Sequence, residues 1–295
     1  MSFTVAAAQY PIDRLDSWDA YIAKVTGWVR EAAGTGASLA VFPEYGAMEL
    51  ASLDEGTMGD LDGSLRFVAS LAPQVDALHA GLAREFGLYI LAASIPVLRD
   101  GQYRNTARLF APSGGVGVQE KLVMTRFERE HWGVYSGGPL RLFETELGRI
   151  GVLICYDSEF PLLGRALVEA GADMILVPSC TDTLAGYHRV RIGALARALE
   201  GQCYTVQAPT VGMAQWSPAV DENRGAAGIY GPPDLGFPED GVVASGTLDA
   251  AQWVFAEIDV ERVARVRQSG AVFNMAHWTE QPGAAELPPV ERVFL

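Results

Sequence analysis

The chain has 295 residues, 49% hydrophobic and 20% charged, with 36 acidic against 22 basic side chains and a formal charge of −14. That length buries a large core and admits two domains, although α/β folds of this size often form one. The acidic balance argues against nucleic acid or an anionic membrane as partner, since both need a basic surface. Cys155, Cys180 and Cys203 are odd in number and widely spaced, which argues for a reducing compartment rather than a disulfide framework. No basic stretch leads into an apolar one at Met1-Ser2-Phe3-Thr4, and no 18 apolar residues run uninterrupted, so a cytoplasmic protein without a membrane span is expected.

Strand and helix patterns alternate along the chain. Phe3 to Ala8 reads as a short apolar strand, and Ser17 to Ala33 as a helix with Ile22, Val25 and Val29 on one face and Gly34 as its stop. Leu39 to Phe42 is a second strand, ending in Pro43-Glu44. Ala47 to Ser64 shows no period and reads as irregular loop, and Leu65 to Phe86 is helical in pattern, broken at Pro73. Tyr89 to Ser94 is a third strand. Asn105 to Phe110 and Val116 to Val123 flank Pro112-Ser113-Gly114-Gly115, the signature of a hairpin. Lys121 stands at its far end, and Arg126 to Pro139 follows as loop.

Ile150 to Ile154 suits a strand buried on both faces, and Pro161 suits the first position of a helix. Cys155 therefore falls at a strand's carboxyl end, where open α/β sheets display reacting groups, and a thiol before a helix N-terminus has its thiolate favoured. The competing reading is a buried cysteine acting as a small hydrophobe. Helices over Pro161 to Ala170 and Tyr187 to Glu200 alternate with strands over Met174 to Val177 and Cys203 to Gln207. Short strands at 227–230, 242–245 and 254–259 precede a helix from Val260 and an extended tail. No repeat or linker divides residues 1–295, so one α/β domain is expected, with 260–295 as its terminal helix and tail.

Glu44, Lys121 and Cys155 each end a strand or hairpin. A cysteine nucleophile needs a base for its proton and a cation for the oxyanion, and a glutamate and a lysine supply both. Taken singly, Glu44 reads equally as a solvated loop residue and Lys121 as half of a surface pair with Glu120. The surrounding blocks Phe42-Pro43-Glu44, Glu120-Lys121, Cys155-Tyr156-Asp157 and Arg197-Ala198-Leu199-Glu200-Gly201-Gln202-Cys203 together resemble the nitrilase, or carbon-nitrogen hydrolase, superfamily from Phe3 to about Asp259. The loop after Lys121 is closest to that of a little-characterised bacterial subgroup sometimes fused to an acetyltransferase domain, which is not expected within these residues.

The resemblance implies a four-layer αββα sandwich with Glu44 as general base, Lys121 as oxyanion cation and Cys155 as nucleophile. It implies a second glutamate in the loop after the lysine; Glu128 and Glu130 both qualify, and Glu130 is preferred because it stands seven residues before Gly137. Tyr156, Cys180, Trp132 and His131 are candidates for the substrate pocket, with Cys180 equally readable as packing. The expected reaction is hydrolysis of a small amide through a thioester, without metal or organic cofactor; the alternatives are a nitrile or N-carbamoyl substrate, or a silent scaffold. A homodimer or higher homo-oligomer is expected. A Cys-His hydrolase finds no support in the context of His79, His131, His188 and His277, no histidine pair has metal-ligand spacing, and neither Gly114-Gly115 nor Gly137-Gly138 leads into a phosphate loop.

Overall fold

Successive residues of a strand point to opposite faces, and in the first strand both faces are apolar. In the computed structural model, which describes residues 2–286, Phe3, Val5 and Ala7 join one core cluster and Ala6, Ala8 and Tyr10 another. A strand buried on both sides sits inside a layered stack.

In chain order the first half comprises β1 (Ser2–Pro11), α1 (Trp18–Gly34), β2 (Ala37–Val41), α2 (Leu61–Ser70), α3 (Ala72–Phe86), β3 (Tyr89–Leu91), β4 (Ile95–Arg99), β5 (Gln102–Phe110) and β6 (Val116–Glu120). The second half comprises β7 (Leu142–Thr145), β8 (Gly148–Val152), α4 (Pro161–Glu169), β9 (Met174–Ser179), α5 (Leu184–Gly201), β10 (Tyr204–Met213), β11 (Glu222–Asn223), β12 (Gly228–Tyr230), β13 (Val242–Ser245), β14 (Gln252–Asp259) and α6 (Val260–Ser269). One sheet runs β14-β1-β2-β3-β5-β6, with β4 also paired to β5. The other runs β7-β8-β9-β10-β12-β13. They join where Tyr10 and Pro11 pair in parallel with Thr210 and Val211.

Side chains settle the layering. Tyr21, Val25 and Val29 of α1 and Val75 and Leu82 of α3 pack with Ala6, Ala8 and Ala40 on the outer face of the first sheet. Val5, Ala7, Leu39 and Val41 face inward and share a cluster with Ile150, Val152 and Leu176 of the second sheet, which also takes in Leu167 of α4 and Val190, Ala194 and Ala198 of α5. The stack is helix, sheet, sheet, helix, as the resemblance implies.

Several elements differ from the sequence reading. The stretch read as loop over Ala47 to Ser64 contains a 3₁₀ turn over Gly46–Leu53 and the start of α2. Asp60 caps α2 by accepting from the Gly63 N–H, the signal that opens a helix there. The break expected at Pro73 within Leu65 to Phe86 is present: α2 and α3 are separate helices, and Pro73 lies in the first turn of α3, where its missing N–H is tolerated. β8 ends at Val152, two residues earlier than expected, and Cys155 opens a short 3₁₀ turn, Cys155–Glu159. The tail is not wholly extended: Ala276–Glu280 forms a 3₁₀ turn, and the Arg165 guanidinium lies 4.9 Å from the Trp278 ring centre. Pro288 and Pro289 lie outside the described residues. Among the described residues no helix is long and apolar enough to cross a membrane.

Candidate active site

Two sheets contribute to one cluster. Glu44 follows β2 and Lys121 follows β6 in the first sheet, whereas Cys155 follows β8 and Cys180 follows β9 in the second. Both Tyr45, next to Glu44, and Cys155 hold left-handed backbones, with φ of 52° and 49°, a conformation that side chains other than glycine adopt only where the surroundings impose it. At Tyr45 the Ser94 hydroxyl accepts the backbone N–H at 2.9 Å and in turn donates to Asn105 Oδ1 at 2.6 Å. At Cys155 the support comes from α5. Ser158 Oγ donates to the Cys155 carbonyl at 2.7 Å, and Arg197 Nη1 donates to the Ser158 carbonyl at 2.9 Å. A Cβ on Gly193 of α5 would stand 2.8 Å from that same carbonyl oxygen, so this close approach requires glycine.

Lys121 lies between two carboxylates, its Nζ 2.7 Å from Glu44 Oε1 and 2.7 Å from Glu128 Oε2, and all three side chains are buried. Glu44 Oε1 also accepts from Asn105 Nδ2 at 2.9 Å, and its Oε2 accepts from the Cys180 backbone N–H at 3.0 Å. The Cys155 thiol lies close enough to this carboxylate to feel its charge, and its Sγ lies 3.8 Å from the Cys180 carbonyl oxygen. Cys180 thus meets the cluster through its backbone, while its own thiol is 3.5 Å from Asn223 Oδ1.

Burial pushes the Glu44 carboxyl up from 4.5 to about 7, against the pull of Lys121 and with a further push from Glu128. Glu128 goes the other way: burial raises it, but Lys121, Thr125 and Tyr45 outweigh burial and hold it below its ordinary range. Burial alone would lower the Lys121 ammonium, yet the two carboxylates hold it well above its usual range. The thiolate expected at Cys155 from the adjoining turn is not favoured. Burial and then Glu44 push the thiol well above its ordinary range, outweighing a turn of five residues. The resting group is a thiol beside a carboxyl that titrates near neutrality, the pairing that general-base activation requires.

The loop after Lys121 corrects one expectation. Glu130 is exposed and forms a two-pronged pair with Arg126, both contacts at 2.9 Å, so it does not meet the lysine. Glu128 does. Its Oε2 accepts from the Thr125 N–H at 2.8 Å and Thr125 Oγ1 at 2.9 Å, its Oε1 accepts from Tyr45 Oη at 2.8 Å, and its own N–H donates back to Thr125 Oγ1 at 3.3 Å. This reciprocal pattern is a capping box, and Thr125-x-x-Glu128 announces it in the sequence. The opposite signal marks Glu130: Arg126 and Glu130 are spaced i, i+4, the pairing of a solvent-facing helical surface.

Glu44, Lys121, Glu128 and Cys155 lie at the base of a cavity of about 510 Å³, within the usual range for small-molecule sites. Tyr45, Phe127, Trp132 and Tyr156 line it, as does Cys180. Trp132, Tyr156 and Cys180 are therefore where the sequence reading expected pocket residues. His131 is not, since it points to solvent and is outside the lining. At the mouth, Arg189 pairs with Glu159 at 3.6 Å. Asp182, Asp221 and Glu222 also line the mouth, and among the described residues none has a cationic partner within 4.0 Å. No group of three or more His, Cys, Asp or Glu among the described residues is placed to hold a metal ion.

Residues 4–268 match the model of the carbon-nitrogen hydrolase family. The chain is 33% identical over 268 residues to the probable hydrolase YhcX of Bacillus subtilis (strain 168), a match covering 91% of this chain and 52% of that relative, so the chain spans about half the length of YhcX. It is 26% identical over 287 residues to the omega-amidase NIT2 of Bos taurus, covering 92% of this chain and 94% of that protein. The crystal structure of a carbon-nitrogen hydrolase from Helicobacter pylori G27 superposes with a TM-score of 0.75 at 18% identity, covering 90% of this chain and 92% of that one, and shows the same fold. The chain belongs to the carbon-nitrogen hydrolase family.

Proposed function

We propose that the chain hydrolyses a small linear amide to a carboxylic acid and ammonia or an amine, with Cys155 as the nucleophile. Glu44 takes the thiol proton as sulfur attacks the amide carbonyl carbon. The oxyanion is held by Lys121 and, as the resemblance implies, by the Tyr156 backbone N–H. Collapse breaks the C–N bond, and the proton on Glu44 leaves with the nitrogen. Glu44 then takes a proton from water, hydroxide adds to the thioester carbonyl, and the second collapse frees the acid while the proton returns to sulfur. These steps close without metal or organic cofactor. Glu128 keeps Lys121 aligned between the two carboxylates.

The observation that carries this reading is the buried Lys121 ammonium bridging Glu44 and Glu128 at 2.7 Å in the cavity that Cys155 lines. A silent scaffold has no need of a buried ion triad, whose desolvation is costly unless it serves a further end. An omega-amidase relative matches 92% of this chain at 26% identity, against 69% at 32% identity for an aliphatic nitrilase, and the fuller coverage supports an amide over a nitrile. We also infer a homo-oligomer, supported by Leu162 and Ile192 on α4 and α5, which are 71% and 63% exposed. A panel of amides, N-carbamoyl amino acids and nitriles, assayed for ammonia release with C155A as control, tests the reaction. Amides turned over faster than nitriles are expected, and activity confined to nitriles would overturn the proposal.

A further inference from the structure

The base and the lysine belong to one sheet and the nucleophile to the other, so the chemistry depends on how the two sheets are held in register at this point. Asp157, outside the reaction scheme above, lies across that junction. It is 1% exposed. Its Oδ1 accepts from the Val123 N–H at 2.8 Å and from the Leu122 N–H at 3.2 Å, and its Oδ2 accepts from the Leu122 N–H at 3.2 Å and the Ile154 N–H at 3.3 Å. Leu122 and Val123 directly follow Lys121, and Ile154 directly precedes Cys155. One carboxylate therefore ties the strand end that carries the cation to the turn that carries the nucleophile. Among the described residues no cation pairs with it within 4.0 Å; backbone N–H groups satisfy both oxygens, with Lys121 acting on it as a nearby charge. A buried carboxylate that spends its acceptors on two separate chain segments costs desolvation that a neutral residue would avoid.

We propose that Asp157 is a positioning residue that holds Lys121 against Cys155, a role that rests on the reading of these two residues as oxyanion cation and nucleophile. The carboxylate is required because both of its oxygens accept. In D157N one oxygen becomes an NH₂ group of the same shape, and because the Leu122 N–H is shared by both oxygens at 3.2 Å, that NH₂ opposes it whichever way the amide turns, so the tie to the lysine segment weakens.

The test reads the lysine at the thiol. Lys121 favours the Cys155 thiolate, so a lysine that drifts away slows alkylation of Cys155. Loosening of the nucleophile turn would instead expose the thiol and speed it. The second-order rate of Cys155 alkylation by iodoacetamide at pH 8, followed by mass on the Cys155 peptide, is expected to fall roughly tenfold in D157N, on the scale of an opposite charge withdrawn. The amide kcat is expected to fall tenfold to a hundredfold with KM within about threefold, as misplacement by about 1 Å does. Alkylation that is unchanged or faster would overturn the proposal. If D157N does not fold, V123P, which removes the nearest donor and leaves the nucleophile turn intact, must give the same slower alkylation. A wild-type protein inactive on every amide would count against the proposed reaction, while the alkylation comparison would still decide the role of Asp157.

Discussion

Exchanging one oxygen of Glu128 for an amide nitrogen tests the lysine's second partner without altering shape. Glu128 Oε2 receives three donors, from Lys121 Nζ, the Thr125 N–H and Thr125 Oγ1, while Oε1 receives Tyr45 Oη alone. A glutamine can keep its carbonyl oxygen on the three donors and turn its NH₂ toward the tyrosine hydroxyl, which can reverse and accept. What E128Q removes is charge. Hydrogen bonds to charged groups contribute about 1.5–3 kcal/mol against about 0.5–1.5 for neutral ones, so a stability loss of about 1–2 kcal/mol is expected, with Lys121 still paired to Glu44. The kinetic effect is larger: a cation aligned by one carboxylate instead of two loses orientation at the oxyanion, and kcat is expected to fall about a hundredfold, or about 2.7 kcal/mol.

The same variant moves the pH profile in a known direction. Glu128 is one of the groups that raise Glu44 toward 7. Without that negative charge the Glu44 carboxyl ionises at lower pH, so the acid limb of kcat/KM shifts down while the plateau falls. E130Q loses only an exposed i, i+4 pair with Arg126, with side chains 88% and 45% exposed, and its kcat is expected to stay within twofold of wild type. Amide turnover from pH 5 to 9, on proteins shown to be folded by circular dichroism, reads both. An E128Q rate near wild type, or a larger loss in E130Q, would refute the reasoning and return the loop to the reading in which Glu130 faces the lysine.

In the wild type, kcat/KM is expected to drop about tenfold per pH unit below about 7, because Glu44 must be ionised to take the thiol proton and burial lifts it to about 7; a limb below pH 5.5 would remove Glu44 as base. C155A is expected to abolish turnover, whereas C180A and C203A retain measurable rate, since Cys180 holds the cluster through its backbone and Cys203 is buried in the core; equal loss at Cys180 would move the nucleophile. Asp182, Asp221 and Glu222 at the mouth have no cation within 4.0 Å among the described residues, whereas Arg189 faces Glu159, so an ω-amino amide is expected to exceed its ω-carboxy analogue in kcat/KM, with a gap that narrows in high salt. The reverse preference would count against that reading of the mouth. Light scattering at micromolar concentration is expected to give a multiple of the chain mass, and a monomer would remove the oligomer.

How much of this was legible depended on how far the partners lie along the chain. Strands buried on both faces show as short apolar runs, so the strand ends at Glu44, Lys121 and Cys155 could be read directly, whereas the four-layer stacking came from the family resemblance. Local signals were present as well, though weighed wrongly: Thr125-x-x-Glu128 marks a cap, and Arg126 with Glu130 marks a surface pair, which between them favour Glu128. The spacing to Gly137 led to Glu130 instead, because it compares loops by length and ignores which way each side chain turns. Asn105 and Asp157 belong to another class. Asn105 reaches Glu44 across 61 residues and Asp157 reaches Leu122 across 35, and no periodicity or cap encodes such contacts.

That division follows from the architecture. Apart from β14, which returns from the end of the chain to pair with β1, each sheet is built from strands of its own half, but the site exists only where the two sheets meet, since Glu44 and Lys121 follow strands of one and Cys155 follows a strand of the other. The groups that join them are polar and buried: Glu44 with the Cys180 N–H, and Asp157 with Leu122, Val123 and Ile154. Apolar packing between sheets is non-directional and tolerates sliding, whereas hydrogen bonds weaken steeply with misalignment. The alignment of Lys121 with Cys155 is therefore assigned to a few directional contacts within a core that would otherwise accept several registers, and those contacts are where substitutions should separate rate from stability.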